Sequence, residues 1–253
     1  MTILIPQLQA EEASKPESQS WSFNGPFGKF DRAALQRGYQ VYKEVCSSCH
    51  SMNLLSFRNL GGGAGFAAGD TESPGPGFSS EQIKALAASF TVKDGPNDQG
   101  EFFDRPARPS DRFVAPFANE QAARSANNGA MPPDLSVIVK AREGGADYIY
   151  GILTGYKTAP AAVILGAGMS YNSGFAGGQI AMPQPLSENS VTYADGTKAT
   201  IEQQSRDVVE FLTWAAEPNL ESRHRMGISV LIYLAVLTGL LYALKRKIWK
   251  RVH

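Results

Sequence analysis

The chain has 253 residues, of which 43% are apolar, so it can form one large domain or two small ones and is not a disordered chain. Its 24 basic and 24 acidic residues cancel, but five basic residues lie within positions 245–253, which leaves 19 basic and 24 acidic residues in the remainder. This mildly acidic body disfavours nucleic acid as a partner and is compatible with a basic protein partner.

The first twenty residues are predicted to be a leader remnant or a flexible arm. Residues 1–10 are apolar and end in a small residue, but they lack a basic start and are short for a signal peptide. A polar run follows at 11–20. We therefore expect the folded part of the chain to begin near Trp21.

A turn at Gly25-Pro26-Phe27-Gly28 leads into the first clearly predicted helix, which Asp31 can cap. Apolar residues recur there at spacings of three and four, namely Leu35, Gly38, Tyr39, Tyr42 and Val45. A glycine inside a helix costs about 1 kcal/mol relative to alanine. We therefore expect a second helix to cross closely at Gly38.

This helix runs into Cys46-Ser47-Ser48-Cys49-His50, which is the attachment signature of c-type haem. In such sites the two thiols form thioethers with the porphyrin, and the imidazole becomes an axial iron ligand. Residues three and four apart share one face of a helical turn. Both cysteines can therefore meet one porphyrin edge while His50 faces the iron.

A redox dithiol and a zinc site are the competing interpretations of Cys46 and Cys49. A zinc site needs about four ligands. The chain has two cysteines and three histidines, of which His224 borders an apolar segment and His253 is the last residue. We therefore favour covalent haem attachment.

The middle of the chain alternates Gly- and Pro-rich loops with short helices. Loops are predicted at 61–77, 94–116 and 159–178, and such long loops are typical of segments that cover a cofactor. Short helices are predicted at 80–90, at 119–126 with an end at Asn127-Asn128-Gly129, through Val139 and Arg142, and at 146–155.

Two elements are predicted before the C-terminal segment. A hairpin turn at Asp195-Gly196 is expected between short extended stretches at 191–193 and 199–200. A capping box at Thr200-Ile201-Glu202-Gln203 starts a helix that Pro218 ends. Its apolar stripe consists of Val208, Phe211, Leu212 and Ala215. We expect this helix to cross the one that precedes Cys46 and to bracket the haem pocket with it.

Residues 226–244 contain no charged residue and are predicted to cross a membrane once. As a helix they are about 28 Å long, which is enough for the hydrocarbon core of a bilayer. Arg223 and Arg225 precede the span, and five basic residues follow it. The positive-inside rule therefore predicts a cytoplasmic tail and a large domain on the outer side.

The sixth iron ligand is expected to be a methionine, because no histidine besides His50 is well placed. Position in the chain disfavours Met1, Met52 and Met226, which leaves Met131, Met169 and Met182. Proline follows both Met131 and Met182, and it restricts the backbone in a way that helps to hold a thioether in place. The residues alone do not decide between these two, and Met169 ranks behind them.

Several segments together resemble one family closely. They are 25–28, 45–52, 126–130, 132–136, 147–148, 153–156, 180–183 and 214–218. Through them the chain resembles, from Trp21 to Trp249, the cytochrome c1 family, the haem subunits of the ubiquinol:cytochrome c oxidoreductase (bc1) complex. The resemblance implies a mainly α fold: a class I cytochrome c-like haem domain with long loops at 21–222, and a transmembrane anchor with a basic tail at 223–253.

The resemblance also implies roles for individual residues. It identifies His50 and Met182 as the axial iron ligands and Met131 as part of the pocket lining. Arg142 matches an arginine that binds a haem propionate, for which a guanidinium is well suited. The residues expected to pack on the haem are Asn127, Pro132 and Pro133.

One feature of the family is missing from this chain. Some bacterial relatives have a disulfide between the region of Tyr148 and the sixth-ligand loop, and this chain has no cysteine for it. We therefore expect packing alone to hold the Met182 loop.

The function implied by the resemblance is electron transfer. The subunit would accept an electron from a Rieske iron-sulfur protein and pass it to a soluble cytochrome c, beside cytochrome b, in a dimeric complex. The haem domain would lie in the bacterial periplasm or, alternatively, in the mitochondrial intermembrane space. The competing functions are a membrane-anchored haem enzyme or gas sensor with an open sixth position, and a free-standing anchored electron carrier.

Overall fold

The protein is mainly α, as predicted, in a computed structural model that describes residues 16–61 and 75–250. Its helices are α1 (Arg32–Glu44), α2 (Ser80–Ala88), α3 (Glu120–Ala126), α4 (Gly145–Thr154), α5 (Ile201–Ala216) and α6 (Leu220–Trp249). Two antiparallel pairs of strands are β1 (Thr91–Asp94) with β2 (Phe103–Pro106), and β3 (Ser170–Tyr171) with β4 (Gln179–Ile180). The predictions for residues 1–15, most of the 61–77 loop and the last three residues lie outside the described residues.

Helices α1 and α5 form the central crossing of the domain, as predicted. The Asp31 side chain caps α1 by accepting hydrogen bonds from two backbone amides of its first turn. A Cβ atom added at Gly38 would lie 2.0 Å from the Asp207 carbonyl oxygen and 2.7 Å from the Phe211 Cβ. Only a glycine therefore allows the two helix backbones to approach this closely.

An aromatic cluster fills the core around this crossing. Its ring centroids lie between 5.0 and 6.0 Å apart in the pairs formed by Tyr39, Tyr42, Phe57, Phe113 and Phe211. Met52 is fully buried in the same core, and Cys46 packs against its edge. The predicted haem motif thus adjoins the aromatic core of the domain.

The helix predicted through Val139 and Arg142 is wrong. The chain makes only a turn here, in which the Ala141 amide bonds to the Val137 carbonyl at 3.1 Å. Gly144, the N-cap of α4, and Gly145, its first residue, follow with positive φ angles of 82° and 52°, outside the right-handed helical region. These two glycines separate the turn from the regular part of α4.

Two predictions about extended structure are also corrected. The predicted loop 94–116 contains strand β2, which pairs with β1 in the register Thr91 to Pro106 and Asp94 to Phe103. The turn predicted at Asp195-Gly196 is present, and the Gly196 amide donates to the Tyr193 carbonyl. The two strands predicted on either side of it are not formed. That segment uses its hydrogen bonds to pack on α5 instead, as when Gln204 donates to the Ala199 carbonyl at 2.7 Å.

Helix α6 leaves the domain as one uninterrupted helix of 30 residues. Only Leu220, at its start, is buried, whereas its apolar side chains further along are exposed on all sides, with Leu231 and Leu240 more than 60% exposed. It is the one helix among the described residues that is long and apolar enough to cross a membrane. A helix that is apolar all round and unburied fits an anchor in lipid.

Candidate functional site

The predicted haem motif forms a single tight turn directly after α1. The amides of Cys49 and His50 both bond to the Cys46 carbonyl, at 3.2 and 2.9 Å. The two serines between the cysteines stabilise this turn, because their hydroxyls donate to carbonyls of the helix end, at Lys43 and Val45. The spacing of the motif therefore does place both cysteines on one turn.

The thiol chemistry of the motif does not match a redox dithiol. Both cysteines are free thiols and are partly exposed. Burial of its sulfur, with a smaller contribution from Cys49, raises the pKa of Cys46 to about 12. Reactive dithiols have a lowered thiol pKa, which favours the thiolate. Among the described residues, no group of three or more His, Cys, Asp or Glu side chains is placed to hold a metal ion.

The His50 imidazole is oriented for a metal. Its Nδ1 lies 2.8 Å from the Pro133 carbonyl oxygen, which can only accept, so Nδ1 carries the proton. Burial lowers the pKa of His50, which favours the neutral ring. The Nε2 lone pair is therefore available, and a carbonyl behind the other ring nitrogen is the usual support of a histidine ligand.

The segment that carries Pro133 is tied to the haem motif by a carboxylate. Asp134 accepts hydrogen bonds at 2.8 Å from the Ser51 hydroxyl, the Asn53 amide and the Ser136 amide. Burial alone would raise the pKa of Asp134, but these hydrogen bonds outweigh it and lower the pKa. Asp134 and Ser136 were not predicted to support the site, although Asp134-Leu135-Ser136 has the composition of an Asx turn, which the Ser136 amide completes.

Met182 lies two residues after the end of β4, half-buried, and a tyrosine hydroxyl binds its backbone carbonyl. The Tyr156 hydroxyl donates to the Met182 carbonyl at 3.0 Å. Tyr156 follows α4 and forms an isolated β-bridge with Asn172. Asn172 is fully buried, and its side chain donates to the Ile152 carbonyl at 2.7 Å and accepts from the Gly174 amide at 2.9 Å.

Hydrogen bonds therefore hold the Met182 loop to α4, and the prediction that packing alone would hold it is wrong. A close approach of backbones contributes as well, because a Cβ atom at Gly174 would lie 2.7 Å from the Gly151 carbonyl oxygen. Asn172 and Tyr156 were missed as supports of the site. Nothing in the spacing of the sequence indicates that either residue faces this loop.

The other methionines occupy different environments. Met131 is 42% exposed, and Met169 is half-buried just before β3. Met52 is fully buried and fills the core, which accounts for it without a metal.

The remaining predicted residues lie on the loops and turns between α3 and α4. Arg142 is exposed, and its guanidinium donates to the Ala141 carbonyl but has no carboxylate partner among the described residues. Asn127 caps α3, because its amide donates to the Ala123 carbonyl at 2.7 Å. Pro132 is half-buried and Pro133 is exposed.

These donor groups fit a covalently bound haem. Two free thiols and an imidazole with an open Nε2 lie on one turn, as thioether formation and axial ligation require. Among the described residues Arg142 has no carboxylate partner, and the thioether of Met182 is half-buried.

Comparison with known proteins places this geometry in context. The sequence pattern described as the Cytochrome C1 family matches residues 21–252. A protein named cytochrome b/c1 from Bradyrhizobium diazoefficiens is 47% identical over 96% of the chain, which spans only 37% of that relative. Cytochrome c1 of Rhodospirillum rubrum is 44% identical, with 92% of the chain and 87% of the relative covered. A mitochondrial cytochrome c1 heme protein of Arabidopsis thaliana is 46% identical, with 92% and 73% covered.

Proposed function

The chain belongs to the cytochrome c1 family, and from this premise we propose that it is the haem-bearing, electron-carrying subunit of a bc1 complex. In this proposal it accepts one electron from a Rieske iron-sulfur protein and passes it to a soluble c-type cytochrome. It works beside cytochrome b in a dimeric assembly. The Bradyrhizobium relative is named cytochrome b/c1, which supports an association with cytochrome b. The Arabidopsis relative is named a heme protein, which supports haem as the cofactor.

The observation that carries the proposal is that His50 has its Nδ1 bonded and its Nε2 open, on the same turn as two free thiols. Cys46 and Cys49 hold the porphyrin covalently, and His50 binds the iron through Nε2 because Nδ1 is engaged by Pro133. Bound haem supplies a one-electron change at iron, and axial ligands tune its potential. The protein itself makes and breaks no bonds of a substrate.

Met182 is the proposed sixth ligand, and Met131 is proposed to line the pocket. Support comes from the hydrogen bond that fixes the Met182 backbone and from Pro183, which restricts the residue before it. A fixed backbone limits how far the sulfur can move when the charge on iron changes. A thioether in this position raises the haem potential relative to a second histidine.

Four other residues are proposed to contact the haem. Arg142 binds a propionate through its guanidinium, which the described residues leave without a carboxylate. Asn127, Pro132 and Pro133 are proposed to pack against the porphyrin from the segment that bears Pro133. The carbonyl of Pro133 has the additional role of orienting His50.

Residues 21–222 are the proposed haem domain, and residues 223–253 are the proposed anchor and tail. Helix α6 crosses the membrane, with the basic residues after the span on the inner side and the haem domain on the outer side. The membrane is an energy-transducing one, in a bacterium or a mitochondrion.

Exchange of the two candidate methionines tests the ligand assignment. Met182→Leu should lower the midpoint potential of the haem by roughly 100 mV or more, which is a modest part of the range that axial ligands control. It should also open the sixth position, so that the reduced protein binds carbon monoxide. Met131→Leu is the matched control and should change neither property. Redox titration and the optical spectrum in carbon monoxide measure both.

The opposite pattern, with the loss at Met131→Leu, would show that the wrong loop was chosen. Ready carbon monoxide binding by the unsubstituted reduced protein would contradict electron transfer through a closed haem. It would favour an enzyme or a gas sensor with an open sixth position.

A further inference from the structure

The turn at Gly25-Pro26-Phe27-Gly28 has no role in the proposed haem site, yet hydrogen bonds and two glycines give it a defined shape. Its phenylalanine side chain is 77% exposed, whereas the neighbouring Phe23 and Phe30 are 7% and 5% exposed. The turn is closed by hydrogen bonds from the Gly28 amide to the Gly25 carbonyl and from the Lys29 amide to the Ser22 carbonyl, at 3.2 and 3.0 Å. A stable loop therefore presents Phe27 to its surroundings.

A close backbone approach fixes the shape of this loop. A Cβ atom at Gly28 would lie 2.2 Å from the Phe23 carbonyl oxygen, and Gly25 has a positive φ angle of 79°. Both positions therefore strongly favour glycine. The exposed ring lies between them, and it is held away from the core that buries its two neighbours.

Two contacts tie this loop to helix α6 and give its direction. The Phe30 amide donates to the Glu221 carboxylate at 2.9 Å, and the Gly28 carbonyl accepts from Nδ1 of His224 at 3.4 Å. Phe30 therefore lies beside Glu221 of α6, and Gly28 lies beside His224. The loop thus runs along α6 towards the apolar span as its residue numbers decrease. The step from Glu221 to His224 is three residues, or about 4.5 Å along the helix.

Phe27 is the next residue along this path, so we infer that it lies near the level at which the uncharged segment begins. That segment starts at Met226, two residues beyond His224. Helix α6 is continuous there and is fixed at its base, since Leu220 is buried and Glu217 pairs with Lys140 and Arg223 at 2.5 and 2.6 Å. The anchored base of α6 therefore fixes the turn relative to the start of the uncharged segment.

We propose that the Phe27 turn, residues 25–28, inserts its aromatic ring into the headgroup region of the lipid bilayer beside α6. The lipid surface is the expected occupant because the turn contacts α6 at His224, two residues before the uncharged span. An apolar phenylalanine ring gains free energy by insertion at the boundary between headgroups and acyl chains. The exposed Lys29 beside the ring provides a cation for lipid phosphates. This inference depends on the proposed anchor but not on the haem.

The test places a nitroxide spin label at one residue at a time in the full-length, haem-loaded protein. Phe27→Cys is the test variant. Phe102→Cys is its matched control, because Phe102 is another exposed phenylalanine, at 69%, in the loop that connects β1 to β2. Val236→Cys reports the middle of the span. The unsubstituted protein shows whether the label reaches Cys46 or Cys49.

Collision rates with oxygen and with a water-soluble nickel chelate are measured in vesicles of phosphatidylcholine and phosphatidylglycerol. Oxygen concentrates in lipid, whereas the chelate stays in water. We expect the chelate to reach the Phe27 label several-fold less often than the Phe102 label, and oxygen to reach it more often. Val236 should be the most protected of the three sites.

Equal chelate access at Phe27 and Phe102, with Val236 still protected, would overturn the proposal and leave the anchor intact. Free chelate access at Val236 would instead show that the anchor itself is wrong. Protection of Phe27 only when other subunits are present, and not in vesicles, would also overturn the proposal, because a protein would then cover the turn.

Discussion

At the scale of single residues, two buried carboxylates on α5 have different hydrogen-bond donors: an arginine for one and neutral groups for the other. Asp207 is 1% exposed, and its two oxygens accept hydrogen bonds from Nε and Nη2 of Arg37 at 3.0 and 2.9 Å. Glu210 is 5% exposed, and it accepts hydrogen bonds from the neutral Ser22 hydroxyl and Asp31 backbone amide. Burial raises the pKa of Glu210, and the two hydrogen bonds offset this only in part.

The Glu210 carboxyl should therefore make stability depend on pH. A carboxyl with a raised folded pKa contributes stability that is fully present below the unfolded value of 4.5 and is lost as pH rises through the folded pKa. Glu210→Gln keeps an acceptor oxygen and removes this titration. We expect the variant to show a smaller fall in unfolding free energy between pH 5 and pH 8, measured by urea denaturation.

The exposed Glu202 on the same helix provides the control, and Glu202→Gln should leave the pH dependence unchanged. If Glu210→Gln loses as much stability between the two pH values as the unsubstituted protein, the buried carboxyl is not the source of the effect.

The sequence predicts the part of the candidate site whose contacts are local. Cys46, Cys49 and His50 lie within one turn, so their spacing alone indicates what they can bind. Asp134 reaches the motif from more than 80 residues away, and Asn172 reaches the Ile152 carbonyl from another loop. Periodicity carries no information about such distant polar contacts, so these supports of the site emerge only from the fold.

At the scale of elements, the crossing of α1 and α5 depends on one missing side chain. Gly38→Ala would gain about 1 kcal/mol in helix propensity. It would also place a methyl group 2.0 Å from the Asp207 carbonyl, and backbone cannot give way as a flexible side chain can. The clash should prevail, with a net loss of about 2 kcal/mol or more in unfolding free energy.

For a domain of this size, such a loss lowers Tm by roughly 4–8 °C. Thermal unfolding followed by circular dichroism measures it. Gly227→Ala is the control, because that glycine is also in a helix and a Cβ atom there would meet nothing within 4 Å. A Gly38→Ala protein as stable as the unsubstituted one would show that the helices do not cross this closely.

Elements held by long apolar stripes were predictable, and elements held by polar contacts were not. Helices α1 and α5 bury regular stripes, and both were predicted near their observed ends. Strands β1 and β2 bury little, so their alternation is weak in a sequence rich in charge and proline. Arg105 stabilises that pair of strands by binding Asp94 and, through two nitrogens, Asp111.

At the scale of the whole molecule, one helix joins the haem domain to the proposed membrane anchor without a hinge. The proposed orientation predicts that a protease added to the outer side of sealed membranes digests residues 21–222 and leaves the span and tail. A protease on the inner side should remove only the basic tail after Leu244. Gel analysis of both digests with antibodies to each end measures this, and loss of the domain from the inner side alone would contradict it.

The central claim is that a haem is bonded to Cys46 and Cys49 on the turn that ends in His50. The most direct test is the mass of the purified full-length protein under denaturing conditions, which remove any haem that is not covalently bound. The account predicts a mass greater than that of the polypeptide by one haem. A mass equal to that of the polypeptide alone, in protein taken from cells that mature other c-type cytochromes, would contradict it.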